Sequence, residues 1–372
     1  MGIPAFPSLL LRIQNISVLQ FKNYIQNRFE FSERIVGICG NNGVGKTNLL
    51  DAIYYLCFTK SYFSRTDGQN THFGANGFRL EGNFLREGRT ENVVSILRET
   101  GKKEFLLDGD AYTRFSAHIG HFPCVMIAPD DTEMITDGSE IRRRFLDSTI
   151  SQLDPEYLQQ LIEYNKVLQQ RNALLKRAAE SNYLDGGLLD ILDQQLVAPG
   201  ELIFDRRTAF MIDFVSKVER YYQEIAGKDE AVSLEYESQL STTSFPELLI
   251  QSRSKDLMLT RTQAGIHKDD LLFGLAGENF KNFASQGQRK RLLFALKLAE
   301  FDALKEQKKF SPLLLLDDVF EKLDDGRMHN LLHRVTSEND GQLFITDTHR
   351  ERLEESLKSF GLPFQIVELG TG

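Results

Sequence analysis

Eight consecutive residues, Gly40-Asn41-Asn42-Gly43-Val44-Gly45-Lys46-Thr47, have the Gly-x-x-x-x-Gly-Lys-Thr spacing that cradles the phosphates of a nucleotide. The chemistry accounts for each residue type. Glycines at 40, 43 and 45 admit positive φ and turn backbone N–H groups towards phosphate oxygens, where a Cβ would obstruct the approach. Lys46 would reach the β and γ phosphates, and the Thr47 hydroxyl would take a place on Mg2+. Asn48 follows in a helix whose positive end faces the same charge. The ligands expected from this loop are a nucleoside triphosphate and Mg2+.

Two downstream stretches carry complementary groups. Ser311-Pro312-Leu313-Leu314-Leu315-Leu316 is an apolar strand ending in Asp317 and Asp318. Asp317 would hold Mg2+ through water, and Asp318, one residue nearer the γ phosphate, would orient or deprotonate the attacking water as general base. Alone, the stretch would be a buried strand with a polar turn; its place after a phosphate loop gives it the sharper meaning. Ser285-Gln286-Gly287-Gln288 opens a helix with Leu292, Leu293, Leu296 and Ala299 on its apolar side, and aims N–H groups and a hydroxyl at an anion. Alone, it is a good N-cap.

These groups need a scaffold, and the pattern around them is α/β. Ile35 to Cys39 reads as a buried strand before the loop, and the apolar residues from Asn48 to Cys57 have helical spacing. Leu11 to Phe31 alternate as two antiparallel strands that turn at Lys22-Asn23-Tyr24. Strand-like pieces follow near 78–85, 92–97 and 103–107, with Asp108-Gly109 marking a hairpin. Residues 155–179 and 188–225 are helical in rhythm, the second run interrupted at Pro199-Gly200, and neither sustains the heptads of a long coiled coil. Residues 232–257 read as looser, with strands returning near 258–262 and 270–273.

At 372 residues the chain has room for two or three domain-sized cores. No run approaches the roughly eighteen apolar residues of a membrane span, so no membrane contact is expected. Cys39, Cys57 and Cys124 are spaced for neither a disulfide framework nor zinc. With a start, Met1-Gly2-Ile3-Pro4, that lacks the layout of an export signal, they point to a reducing cytoplasm. A net charge of −9 argues against coating nucleic acid indiscriminately, so any nucleic-acid contact must be a local basic patch. The candidates are Arg142-Arg143-Arg144 and Arg289-Lys290-Arg291, each of which reads equally well as a solvated helix face.

The order of the Ser285 helix, the acidic strand and Glu321-Lys322-Leu323-Asp324 resembles the signature motif, Walker B strand and D-loop of ABC-type ATPases. The likeness narrows with Phe21-Lys22-Asn23-Tyr24, the loop continued to Leu50, Arg143-Arg144-Phe145-Leu146-Asp147, Gly265-Ile266-His267-Lys268-Asp269-Asp270-Leu271 and Leu315-Leu316-Asp317-Asp318-Val319. Together these resemble the RecF family of bacterial DNA replication and repair proteins, SMC-like ATPases, over nearly the whole chain. Lys22 and Lys268 stand where arginine is expected, and Ile266 where proline is usual.

The resemblance implies an ABC-type ATPase head: a mixed phosphate-loop sheet and an N-terminal antiparallel sheet in a discontinuous lobe, residues 1–119 and 262–372. A mainly helical lobe with short arms would be inserted at 120–261. It implies that residues 40–48 and Lys22 of one subunit and Ser285, Gln286, Gly287 and Gln288 of another enclose ATP, with Thr47 and Asp317 on Mg2+ and with Lys46 and Asp318 catalytic. It implies an ATP-dependent homodimer on gapped DNA or strand junctions and slow, DNA-stimulated hydrolysis for release. RecO and RecR would be partners in RecA loading during repair and the SOS response. The residue that senses the γ phosphate stays open among Gln69, Asp347 and His349. From Gly265 to Leu271 a tight turn with His267 bonded locally competes evenly with an active role for His267 and Lys268. Two other readings stand beside this one: an ATP-gated scaffold without useful turnover, and an ABC-type head with a protein or RNA partner.

Overall fold

The computed structural model describes residues 10–318 and 340–370. The described residues form two compact units, one from residues 10–131 with 296–318 and 340–370, the other residues 132–295.

In the first unit β1 (Leu11–Phe21) and β2 (Tyr24–Glu30) pair antiparallel, with Phe21 opposite Tyr24 across the turn at Lys22-Asn23. β4 (Phe78–Arg86), β5 (Arg89–Leu97), β6 (Lys103–Leu107) and β7 (Asp110–Ala111) complete an antiparallel sheet ordered β2-β1-β4-β5-β6-β7. Asp108 (φ 51°) and Gly109 (φ 88°) are both left-handed in the β6–β7 turn, the backbone that an Asp-Gly pair favours. A separate sheet is made of β3 (Ile35–Cys39), β8 (Cys124–Ile127), β12 (Leu313–Leu316), β13 (Leu343–Asp347) and β14 (Phe364–Glu368). Its order is β14-β3-β13-β12-β8, parallel at every pairing. The strands β3, β8, β12 and β13 are buried at every residue, so they read as apolar runs rather than alternations.

Helix α1 (Lys46–Phe58) joins one core with strands of both sheets, and eleven of its thirteen residues are buried, which is why apolar side chains surround it. Gly37 on β3 is a glycine of necessity: a Cβ would come within 2.8 Å of Ile366 and 2.9 Å of Leu353 and Leu357. The latter two belong to α9 (Arg350–Ser359), which follows β13.

The second unit holds α2 (Glu133–Thr136), α3 (Ser139–Leu153), α4 (Pro155–Ser181), α5 (Gly186–Ala226), α6 (Phe245–Leu259) and α7 (Phe280–Phe283). A small sheet of β9 (Val232–Glu237), β10 (Asp270–Leu275) and β11 (Glu278–Asn279) accompanies them. Asp154 caps α4 by accepting from the amides of Glu156 and Tyr157, with Pro155 in the first turn where its missing N–H costs nothing. Buried Arg171 of α4 donates to Asp193 of α5 at 2.6 Å and to Asp256 of α6 at 2.7 Å, so one guanidinium ties three helices.

Helix α5 corrects one expectation: it runs unbroken through Pro199-Gly200. The glycine there serves packing, since a Cβ at 200 would meet the Phe245 ring at 2.4 Å. Residues 258–259 end a helix and are not a strand. The far boundary of this unit lies at 295, beyond the expected 261, because β10 pairs with β9 and Gln288 bonds back to Glu230. Helix α8 (Gln286–Lys308) starts in the second unit and ends in the first. Among the described residues no helix is long and apolar enough to cross a membrane.

Candidate functional site

The phosphate loop links the end of β3 to α1, at the carboxyl ends of parallel strands where open α/β sheets bind ligands. Gly40, Gly43 and Gly45 have φ of 151°, 85° and 113°, so all three glycines adopt backbone that a side chain would strain. Gly45 has a second reason: a Cβ would lie 2.7 Å from the Asn23 carboxamide and 2.8 Å from the Tyr24 hydroxyl. That hydroxyl donates to the Gly45 carbonyl at 3.0 Å, and Asn48 donates to Asn23 Oδ1 at 2.7 Å. The β1–β2 turn thus buttresses the loop, a duty that the sequence offered only as a turn. Lys46 is buried and its ammonium donates to the carbonyls of Gly40 (2.8 Å) and Asn41 (3.2 Å), the loop it encircles. Asn41, Asn42 and Val44 lie between the glycines, Val44 N–H closing weakly on Asn41 O at 3.5 Å.

Thr47 Oγ1 lies 2.8 Å from Asp317 Oδ2 and 3.0 Å from Oδ1, bringing together residues 270 apart in sequence. A hydroxyl and a carboxylate, both hard oxygen donors, beside a phosphate cradle are the protein's usual share of a Mg2+ shell, so the residues fit that ion. Burial raises the Asp317 carboxyl above its ordinary range, against the pull of hydrogen bonds from Thr346 and Thr47. Asp318 takes φ 46°, and its Oδ1 is buried without a hydrogen-bond partner among the described residues. Its amide donates to Thr346 Oγ1 at 2.8 Å.

Lys22 also has φ 51°, and its ammonium rests 2.5 Å from the fully buried carboxylate of Asp51 on α1. Asp51 further accepts from Ser61 Oγ and Tyr62 N–H, both at 2.7 Å, which pins the polar loop that follows α1. Gln69, in that loop, is exposed and turns its carbonyl back on the amides of Arg65 and Thr66. Asp347 is buried under a two-pronged grip from Arg352, at 2.6 and 2.9 Å, and caps the His349 amide. His349 keeps an exposed ring, with Nδ1 2.8 Å from Thr348 Oγ1. Glu321 to Asp324 and Val319 lie outside the described residues.

In the second unit, Ser285 and Gln288 form a reciprocal cap: Gln288 N–H donates to Ser285 Oγ at 3.2 Å, and Ser285 N–H to Gln288 Oε1 at 2.9 Å. Gln286 and Gly287 are exposed in the first turn of α8, and a Cβ at 287 would meet nothing nearer than 4.0 Å. The basic clusters are less alike than their sequences. Arg142 is buried, grips Asp270 with both prongs at 2.6 and 2.9 Å and donates to the Met134 and Asp137 carbonyls. Arg143 donates to the Asp269 carbonyl at 2.6 Å. Arg144 alone of the three is exposed, paired with Glu140 one turn back. The expected exposed triplet is thus corrected, because carboxylates and carbonyls of the β10 region and the α2–α3 turn draw two of its members inward. Arg289 donates to the Lys281 carbonyl and Arg291 to Glu230, while Lys290 is half-buried. His267 sits between the Tyr164 hydroxyl of α4 (2.8 Å) and the nearby Thr262 carbonyl (3.1 Å), and burial lowers it to about 4. Burial also lowers Lys268.

Comparison with known proteins gives the family. A family model described as RecF/RecN/SMC N terminal domain matches residues 12–366. The DNA replication and repair protein RecF of Flavobacterium johnsoniae is 44% identical over 359 residues, 96% of this chain and 100% of that protein. Its counterpart in Parabacteroides distasonis is 41% identical over 360 residues, covering 97% and 98%. A solved structure of the recombination mediator protein RecF with ATP in the RecFOR pathway superposes with a TM-score of 0.84 at 28% identity, covering 94% of this chain and 95% of that one. An Smc head domain from Pyrococcus furiosus shares the fold alone, with a TM-score of 0.53 at 16% identity over 93% of this chain and 92% of that one. With a family match over nearly all its length and full-length relatives above 40% identity, the chain belongs to the RecF family of DNA replication and repair proteins, built on an SMC-like ABC ATPase head.

Proposed function

We propose that this chain is an ATP-dependent DNA-binding protein of the bacterial cytoplasm that pairs on ATP, engages gapped or junction DNA and lets go after slow hydrolysis. The observation that carries the reading is the convergence of Lys46, Thr47, Asp317 and Asp318 at the end of one parallel sheet. Support comes from a relative solved with ATP. That relative works in a RecFOR pathway, so RecO and RecR are the partners proposed here, and RecA loading the purpose.

In this mechanism Lys46 exchanges its two loop carbonyls for β and γ phosphate oxygens, while the N–H groups at the start of α1 face the same charge. Thr47 and Asp317 would hold Mg2+, which when bound would neutralise charge on the phosphates. Asp318 Oδ1 has no partner among the described residues, and this carboxylate can take the proton of the attacking water. Ser285 and the first amides of α8 from a second copy cap the γ phosphate, which makes ATP the link between subunits.

The test uses two damaged subunits. Lys46→Ala is expected not to bind ATP or dimerise, and Ser285→Arg to bind ATP as a monomer because a bulky cation fills the cap. Mixed together with a non-hydrolysed ATP analogue, they restore one of two composite sites, so sizing should recover partial dimers. Complete absence of pairing at high concentration defeats a site shared across subunits.

A further inference from the structure

The geometry points to Thr346 as a positioning residue that sets both acidic groups of the nucleotide site with one hydroxyl. Thr346 is fully buried on β13, between β3 and β12 in the parallel sheet, directly after the buried apolar run Leu343-Phe344-Ile345. A buried hydroxyl in such a place is costly unless both its donor and acceptor capacities are met. Here they are met by the site itself: Oγ1 donates to Asp317 Oδ1 at 2.8 Å and accepts from the Asp318 amide at 2.8 Å. Register produces this, since Leu316 lies opposite Ile345 and the next residue of each strand is Asp317 and Thr346.

Each bond has a separate consequence. The first fixes the rotation of the Asp317 carboxylate, leaving Oδ2 directed at Thr47 Oγ1 (2.8 Å), the pair assigned to the metal ion. The second anchors the amide of Asp318, whose backbone is left-handed at φ 46°, a conformation that costs a side-chain-bearing residue more than the right-handed one, though aspartate less than most. Held there, Asp318 presents a carboxylate oxygen with no partner among the described residues. A valine at 346 keeps the β-branched shape and deprives both aspartates at once; a serine keeps the hydroxyl and loses only a methyl.

This assignment rests on the proposed ATPase reading, and the experiment separates the two. Wild type, Thr346→Val and Thr346→Ser are compared for binding of a non-hydrolysed ATP analogue without metal, for the Mg2+ concentration that half-saturates the tightening of that binding, and for kcat. Thr346→Val is expected to bind the analogue without metal within about twofold of wild type, because the loop and Lys46 are untouched. Its Mg2+ requirement should rise about tenfold, and its kcat fall about tenfold to a hundredfold, the range in which ligand-supporting residues act. Thr346→Ser should return both within about threefold. A Thr346→Val protein with unchanged Mg2+ requirement and kcat overturns the assignment, and so does a Thr346→Ser protein as impaired as Thr346→Val, which would reduce the residue to packing. If Thr346→Val does not fold, Thr346→Ala against Thr346→Ser makes the same comparison. A wild type that neither binds the analogue nor responds to Mg2+ defeats the ATP reading instead.

Discussion

The division of labour between two adjacent carboxylates is the point at which chemistry depends most on single residues. Asp317 is tied by Thr47 and Thr346, whereas Asp318 is held through its backbone amide and its Oδ1 has no partner among the described residues. Asp318→Asn therefore preserves shape, metal and nucleotide contacts and removes the base alone. Single-turnover hydrolysis should fall by about 10²–10⁴-fold with ATP affinity little changed, so that the ATP-bound form accumulates. Hydrolysis at the wild-type rate in that variant takes Asp318 out of the mechanism. The phosphate loop, Asp317 and Asp318 were legible in the sequence because their chemistry dictates residue type at fixed local spacing. Asn23, Tyr24, Asp51 and Thr346 were not, because each acts through a partner set by the fold: Thr346 reads as an ordinary β-branched strand residue until β12 lies beside it.

Helix α1 shows what an element must do to keep such residues in place, since it is buried nearly all round and both of its ends carry polar work. At its far end His118 is fully buried, its Nε2 2.7 Å from the Leu56 carbonyl and its Nδ1 3.1 Å from the Tyr112 hydroxyl. The Nε2 bond is that of a ring donating to a helix carbonyl, and burial lowers the ring from 6.5 to about 4. The unfolded chain binds this proton more readily than the folded one between those values. Stability from His118 is thus complete above pH 6.5 and is lost as pH falls towards 4, with a slope of about 1.4 kcal/mol per pH unit for one proton. His118→Gln should flatten the fall of the unfolding midpoint between about pH 6.5 and 4.5 while weakening the protein at pH 7. An unaltered acid slope would assign the acid sensitivity to other groups, with His121, also lowered by burial, the nearest. Elements with a clean period were read from the sequence within a few residues, whereas α5 was divided at Pro199-Gly200 because a breaker pair is a local signal. The reason for the glycine, the Phe245 ring, lies 45 residues away.

At the scale of the whole molecule, the proposed DNA binding requires a chain of net charge −9 to gather cations into a local patch, and the second unit narrows the choice. Arg142 is consumed by Asp270 and two carbonyls in a buried site, so its removal strands a carboxylate and costs about 3–5 kcal/mol of stability, which tests folding rather than DNA. Arg144 differs: its partner Glu140 is exposed like itself, and such a pair is worth about 0.3–0.5 kcal/mol, so a DNA phosphate can displace the glutamate at little cost. Lys290, in the second turn of α8, is the counterpart on the helix proposed to cap the γ phosphate. In a dimer every such contact occurs twice, and phosphate contacts release counterions, so log affinity should fall linearly with log salt concentration. Arg144→Ala and Lys290→Ala, measured separately with ATP analogue present, should each flatten that slope by about 0.9 for every phosphate no longer neutralised, and weaken all DNA sequences alike. Arg144→Ala should leave DNA-free ATP hydrolysis near normal, since its ion pair is with Glu140, whereas Lys46 is bonded to the carbonyls of its own loop and Thr47 to Asp317. An unchanged slope and affinity in both variants would move the DNA path off this unit's basic clusters, whereas an effect confined to one would say which helix lies along the backbone.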